Sequence, residues 1–68
     1  MGAESLTKEE TGFLISVLNR YTEGPVADES NLEYFTSEHI VSLLEKVKEK
    51  LSDKAKILSE NIKNKLDN

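Results

Sequence analysis

Apolar side chains recur at helical spacing in two stretches of the chain, which are separated by a polar segment rich in turn formers. The apolar positions of the first stretch are Phe13, Leu14, Val17, Leu18 and Tyr21. At about 100° per residue they fill one arc of a helix, which is typical of a face packed on a core. Thr7 and Glu10 have the spacing of a capping box, and Gly24-Pro25 offers a glycine cap and a stop signal. We therefore predict a helix over about residues 8–22.

The second stretch runs from Thr36 onward without glycine or proline. Its apolar positions are Ile40, Leu44, Val47, Leu51, Ala55, Leu58, Ile62 and Leu66. Because positions repeat every eleven residues, or about 3.67 residues per turn, the stripe stays on one side of a nearly straight helix. The constant phase predicts one long helix over about residues 37–66. Ser52-Asp53 is the alternative break, since both residues favour caps over helix interiors.

The connection between the two stretches combines acidic residues with turn formers. Leu32 and Tyr34 end this segment and are predicted to cover the end of the core in one helical turn. Phe35 stands just before Thr36, the predicted N-cap of the second helix. That spacing predicts a hydrophobic staple in which the Phe35 ring packs on Ile40.

These elements predict a single all-α domain over residues 1–68, with residues 1–6 disordered. At 1.5 Å per residue the long helix extends about 45 Å and the first helix about 22 Å. Half of the long apolar stripe then lacks a partner, so we expect a helical hairpin that dimerises into a four-helix-like bundle. A break at Ser52-Asp53 gives a monomeric three-helix bundle instead. The residues predicted for the shared core are Phe13, Leu14, Val17, Leu18, Tyr21, Ile40, Leu44, Val47, Leu51, Leu58 and Ile62.

Length and composition favour association over other ways of stabilising a small fold. A domain of 68 residues buries only about 60% of the surface that its unfolded chain exposes. Folds of this size usually rely on disulfides, a metal or a partner subunit. Cysteine is absent and the single His39 has no ligand pattern around it, so we expect neither disulfides nor a metal or other cofactor. Elimination leaves association with a second copy of the chain or with another protein, beside a compact monomer, and the partner we expect is a second copy.

The net charge of −4 is unevenly distributed along the chain. Residues 1–39 contain eight acids and two basic residues, whereas residues 40–68 contain seven lysines and five acids. Lysines and acids interleave at i,i+3 spacing in the second half, which is typical of a solvated, salt-bridged face. With a pI of about 4.9, this argues against nucleic-acid binding. No apolar run suits a membrane span and no signal-peptide pattern is found, so the expected localisation is cytoplasmic.

The sequence predicts a binding function and no catalytic one. Catalysis needs a nucleophile or a general base with a group to orient it, and His39 falls in the first turn of the second helix, where a surface role is the default. No phosphate loop or other small-molecule site is evident. We therefore expect a non-enzymatic helical protein-interaction module. The alternative is a small acidic regulator that binds a basic site on another protein. Its acidic surface comprises Glu23, Asp28, Glu29 and Glu33.

Overall fold

The first helix forms with the predicted cap. The computed structural model describes residues 6–67, and in it α1 spans Lys8–Tyr21. The Glu10 amide donates to Thr7 Oγ1 at 3.1 Å, and the Thr7 amide donates to Glu10 Oε1 at 3.0 Å. These reciprocal bonds confirm the capping box.

The end of α1 differs from the prediction of a glycine cap. Thr22 turns to an extended conformation (φ −124°, ψ 158°) and ends the helix before Gly24 is reached. The Thr22 amide and hydroxyl both donate to the Leu18 carbonyl, at 3.2 and 2.6 Å. The threonine side chain thus satisfies a terminal carbonyl that a glycine cap normally serves.

Two more α-helices and two 3-10 turns follow in the described part of the chain, which contains no strand. In order they are a 3-10 turn at Leu32–Tyr34, α2 at Ser37–Val47, a 3-10 turn at Lys48–Lys50 and α3 at Asp53–Asp67. Thr36 caps α2 as predicted, because its hydroxyl accepts from the His39 amide at 3.1 Å. Residues 6–67 are therefore all-α.

The single long helix predicted over residues 37–66 does not form, because the chain breaks at Leu51-Ser52. Leu51 is extended (φ −93°, ψ 149°). The Ser52 hydroxyl accepts from the Ala55 amide at 3.2 Å, and the Ser52 carbonyl accepts from the Lys56 amide at 2.8 Å. Ser52 therefore caps α3, and the break lies beside the position that the sequence marked as the alternative.

Folding back at this break brings the second half of the apolar stripe against the core of the same chain. Ile62 on α3 is fully buried in the same core as Leu14, Leu18 and Leu44. Burying an isoleucine side chain stabilises a fold by about 1.5–3 kcal/mol, which a straight helix would forgo. The three helices share one core, which fits the alternative three-helix bundle, and the apolar stripe no longer runs along one straight helix.

The core is drawn from all three helices and from the connection between α1 and α2. Among the residues predicted for it, the buried ones are Leu14, Val17, Leu18, Ile40, Leu44, Val47 and Ile62. The half-buried ones are Phe13, Tyr21, Leu51 and Leu58. Three further buried members, Ala27, Leu32 and Leu43, were not in the predicted set.

Leu6, the last residue of the segment 1–6 that was predicted to be disordered, is half-buried and packs against this core. Residues 1–5 lie outside the described residues. None of the helices in the described range is long and apolar enough to cross a membrane.

Candidate interaction surface

A groove runs between α1 and the segment that links α2 to α3. This linking segment, residues 48–52, is called the joint. Its volume is about 250 Å³. The α1 wall consists of Phe13, Ser16, Val17, Arg20 and Tyr21. The facing wall consists of Lys50, Leu51, Ser52 and Ala55. Since Ser52 caps α3, the groove lies where the chain changes direction, and a straight helix would not form it.

The floor of the groove is apolar and its rim is cationic. Phe13, Tyr21 and Leu51 are only half-buried, so the bundle leaves part of each side chain facing solvent. Lys50 Nζ lies 5.6 Å from the centroid of the Tyr21 ring, within cation–π range. Arg20 is exposed on the same rim. Such a surface suits a protein segment that carries an apolar side chain beside carboxylates.

The outer face of α1, defined by the exposed residues Gly12, Ser16, Asn19 and Arg20, borders this groove. Ser16 and Arg20 line both the groove and a shallow depression, whose lining Ile15 and Asn19 complete. A Cβ placed on Gly12 meets nothing within 4 Å. Ile15, which lies outside the core-facing arc, is half-buried at the edge of this face. Small side chains therefore leave open space along the middle of the face.

The acidic loop, defined as residues 22–36, is tied to α1 through Asn19. The Asn19 side-chain amide donates to the Ala27 carbonyl at 3.0 Å, and its oxygen accepts from the Ala27 amide at 2.7 Å. Ala27 itself is buried. Further along the loop, Asn31 Nδ2 donates to the Val26 carbonyl at 2.8 Å. These bonds hold the loop beside the outer face of α1.

Asp28 organises the middle of the acidic loop. Its Oδ1 accepts from the Ser30 hydroxyl at 2.6 Å and from the Ser30 and Asn31 amides at 2.9 and 3.2 Å. The Ser30 hydroxyl, followed by these amides, holds the pKa of Asp28 below its usual value. Asp28, predicted as part of an acidic partner surface, therefore shapes the loop that displays the other acids.

The other acids of that predicted surface, Glu23, Glu29 and Glu33, are exposed on the loop. Two large apolar side chains are exposed beside them in the sequence, Val26 at 75% and Tyr34 at 78%. The loop thus combines carboxylates with apolar side chains, the combination that the groove suits.

The prediction that Tyr34 covers the end of the core is wrong. Leu32 and Tyr34 lie two positions apart in a 3-10 turn, where three residues complete a turn, so they point to different sides. Leu32 takes the buried side, with 3% exposure, and Tyr34 faces outward.

Acids of α1 pair with lysines of α3 within the chain. Lys54 Nζ lies 3.4 Å from Glu9 Oε2, and Lys65 Nζ lies 2.6 Å from Glu10 Oε1. The Glu10 side chain is only 5% exposed. The hydrogen bond from Lys65, followed by the one from the Thr7 amide, lowers the pKa of Glu10 even though burial opposes this. These acids contribute to the fold, whereas the sequence had shown only the capping role of Glu10.

Lys63 is a buried lysine that the sequence pattern placed on a solvated face. Its Nζ lies 3.0 Å from Glu45 Oε2 and 2.9 Å from Glu60 Oε2. The hydrogen bond to Glu60, together with the one to Glu45, raises the pKa of Lys63 against the effect of burial, and Lys63 lowers the pKa of Glu60. The i,i+3 spacing predicted the Glu60 pair, but no sequence signal marked the partner on α2.

His39 is exposed on the first turn of α2. Its ring stacks on that of Phe35, with centroids 6.5 Å apart and planes inclined by 26°. Phe35 also packs against the core, which includes Ile40. Among residues 6–67, no group of three His, Asp or Glu side chains is placed to hold a metal ion.

Comparison with known proteins gives no match: no family model, no curated protein and no solved structure is significantly similar to this chain.

Proposed function

We propose that this chain is a non-enzymatic helical protein-interaction module whose partner is a second copy of itself. The observation that carries the proposal is the groove between α1 and the joint. There, half-buried Phe13, Tyr21 and Leu51 share the lining with exposed Arg20 and Lys50. Aromatic and aliphatic side chains with an arginine at their edge are typical of the centres of protein–protein interfaces.

A second copy is favoured as the partner because one chain carries both halves of the chemistry. The groove is apolar and cationic, and the acidic loop exposes Val26 and Tyr34 near Glu29 and Glu33 in the sequence. Opposite charges on the two surfaces promote encounter and fix their register. A small domain without disulfides also gains stability when association buries further apolar surface.

Sedimentation equilibrium over about three decades of protein concentration tests the proposal. We expect the mass to rise from 7.7 kDa toward twice that value. The melting temperature should rise with concentration as well, because only the folded chain associates. A monomer mass at every concentration, with a melting temperature that does not change, contradicts self-association.

The acidic loop supports a second candidate function, which is binding to a basic site on a different protein. Hydrogen bonds made by Asn19, Asp28 and Asn31 hold its backbone. A loop that is already ordered loses little conformational freedom on binding, which favours affinity.

Quantitative capture from the native cell discriminates this candidate, with the wild type and two charge variants as baits. Glu29→Lys/Glu33→Lys reverses charge on the loop. Glu38→Lys/Glu49→Lys is the control, because it changes the net charge by the same amount at exposed positions outside the acidic loop. We expect a partner that the wild type and the control retain, that the loop variant loses, and that high salt releases. A partner retained equally by all three baits contradicts the acidic-loop candidate.

A further inference from the structure

We infer that two copies associate through the outer face of α1, with the acidic loop of each copy lying against the cationic groove of the other. The inference rests on the proposed self-association and adds the surfaces that carry it.

The acidic loop and the groove lie on opposite sides of this outer face. At about 100° per residue, Asn19 and Phe13 lie about 60° to either side of Ser16 on the helix. Asn19 binds the loop through Ala27, whereas Phe13 lines the groove. Ser16, between them, borders both the depression and the groove. The loop, the outer face and the groove therefore form one continuous surface.

This surface is complementary to itself under a two-fold axis that runs along α1. Such an axis brings the outer faces of two parallel α1 helices together and exchanges their left and right sides. The loop of each copy then faces the groove of the other, so the same contact is made twice. A contact of this kind is closed and stops at two copies.

The middle of the outer face permits close approach between two helices. A glycine inside a helix costs about 1 kcal/mol relative to alanine. Nothing within one chain requires Gly12, since a Cβ there meets no atom within 4 Å. A second helix packed over Gly12 and Ser16 accounts for the small residues, because they let backbones approach.

The charges on the two sides have opposite signs. Residues 21–45 contain no lysine or arginine, and Glu29 and Glu33 are exposed within that range. Across the outer face, Arg20 and Lys50 are exposed on the rim of the groove. Pairing the loop with the groove of a second copy matches these charges, while Val26 and Tyr34 supply apolar contacts to its floor.

The first test places a charge at the centre of the contact. Ser16→Glu puts two carboxylates against each other across the two-fold axis, so we expect the dimer to dissociate at least about tenfold more readily. Ser42→Glu is the matched control, because Ser42 is exposed on α2. The dissociation constant of the Ser42→Glu dimer should equal that of the wild-type dimer. Far-UV circular dichroism and thermal melting check folding, and Ser16→Gln tests the same contact by bulk if Ser16→Glu unfolds.

The second test exchanges the charges between two chains. Glu29→Lys/Glu33→Lys makes the loop basic, and Arg20→Glu/Lys50→Glu makes the groove acidic. Each variant alone should be monomeric, since its loop and groove now carry like charges. Mixed in equal amounts, they should form a heterodimer, because both loop–groove contacts again join opposite charges.

The outcomes separate this inference from the proposed function. A wild-type chain that stays monomeric overturns both. A wild-type dimer that Ser16→Glu and both charge variants leave intact retains self-association and overturns the surface assigned to it. Monomeric variants whose mixture stays monomeric overturn the pairing of loop with groove.

Discussion

Lys65, near the end of α3, donates a hydrogen bond of 2.6 Å to Oε1 of Glu10, which lies 55 positions earlier in the chain. The same oxygen accepts from the Thr7 amide, so one carboxylate serves both the N-cap of α1 and the last turns of α3. Lys54, at the opposite end of α3, pairs with the neighbouring Glu9. The two lysines, near opposite ends of α3, therefore both pair with acids in the first turn of α1.

Replacing Glu10 by glutamine should lower the free energy of unfolding at neutral pH by about 1 kcal/mol, because a neutral amide is a weaker partner for Lys65. The pKa of Glu10 is lower in the folded chain than its ordinary value of 4.5. Its stabilising contribution is therefore fully present above that value and is lost as pH falls through the folded pKa. Urea denaturation at several pH values measures the free energy of unfolding of the wild type and of Glu10→Gln. The difference between the two free energies should be constant above about pH 5.5 and should narrow below about pH 4.5.

Glu38→Gln is the control for this experiment, because Glu38 is exposed on α2 and lies outside the acidic loop and the groove. It should change stability by less than about 0.5 kcal/mol. A gap between the wild type and Glu10→Gln that stays constant down to pH 3 contradicts the assigned role of the Glu10 carboxylate.

Lys63 and Lys65 should respond differently to replacement by methionine, which keeps most of the length of the side chain and removes its charge. The carboxylates of Glu45 and Glu60 are 58% and 53% exposed, so water can solvate them when Lys63 is neutralised. The Glu10 side chain is 5% exposed, so Lys65→Met leaves a buried carboxylate without its cation. We expect Lys65→Met to lose about 2 kcal/mol and Lys63→Met clearly less. Denaturation at pH 7 measures both, and equal losses or the reverse order contradict this explanation.

Removing the hydroxyl that caps α3 should lower the stability of the folded chain, because this cap holds the break between α2 and α3. Ser52→Ala loses the hydrogen bond to the Ala55 amide, and loss of such a cap costs about 1 kcal/mol. Ser42→Ala is the matched control, because Ser42 is exposed within α2, where alanine is the better helix former. Thermal denaturation should show a lower melting temperature for Ser52→Ala only. Equal effects of the two variants mean that Ser52 does not act as a cap.

Two isoleucines of α3 offer a matched comparison of buried and exposed positions. Ile62 is fully buried, whereas Ile57 is 62% exposed. Ile62→Ala should cost about 2–5 kcal/mol, which is a large part of the stability of a small domain. Ile57→Ala should cost less than about 1 kcal/mol. Amide hydrogen exchange and thermal melting measure both, and similar losses contradict the orientation of α3 in the bundle.

The sequence by itself determined where α1 and α2 begin and which side of α1 faces the core. Thr7 with Glu10, and Thr36 with the His39 amide, act across three residues, so their hydrogen bonds need no distant partner. Leu14 and Leu18 follow the helical period, which local geometry alone sets. These features could be predicted because the chain segment that shows the pattern is also the segment that folds.

The break at Ser52 was decided by tertiary structure. The apolar stripe keeps its phase across this position, and the preference for a cap is worth only about 1 kcal/mol. A straight helix satisfies the same local pattern. The balance shifts when Ile62 reaches the core beside Leu44, since burial of an isoleucine is worth about 1.5–3 kcal/mol.

The candidate surface was predicted in part. The sequence placed Phe13, Tyr21 and Leu51 in the shared core of a bundle, and it assigned Glu29 and Glu33 to an acidic partner surface. That the three apolar side chains are half-exposed in a groove follows from the way α1 meets the joint.

The Lys65–Glu10 pair, with 55 positions between its members, has no local signal at all. Sequence patterns report interactions between residues within about one turn of helix. These local interactions determined the helical elements and the sides that face the core. The break, the groove and the ion pairs between α1 and α3 depend on contacts between distant segments. Such contacts form only after the entropy of closing the chain between them has been overcome, so the whole fold decides them together.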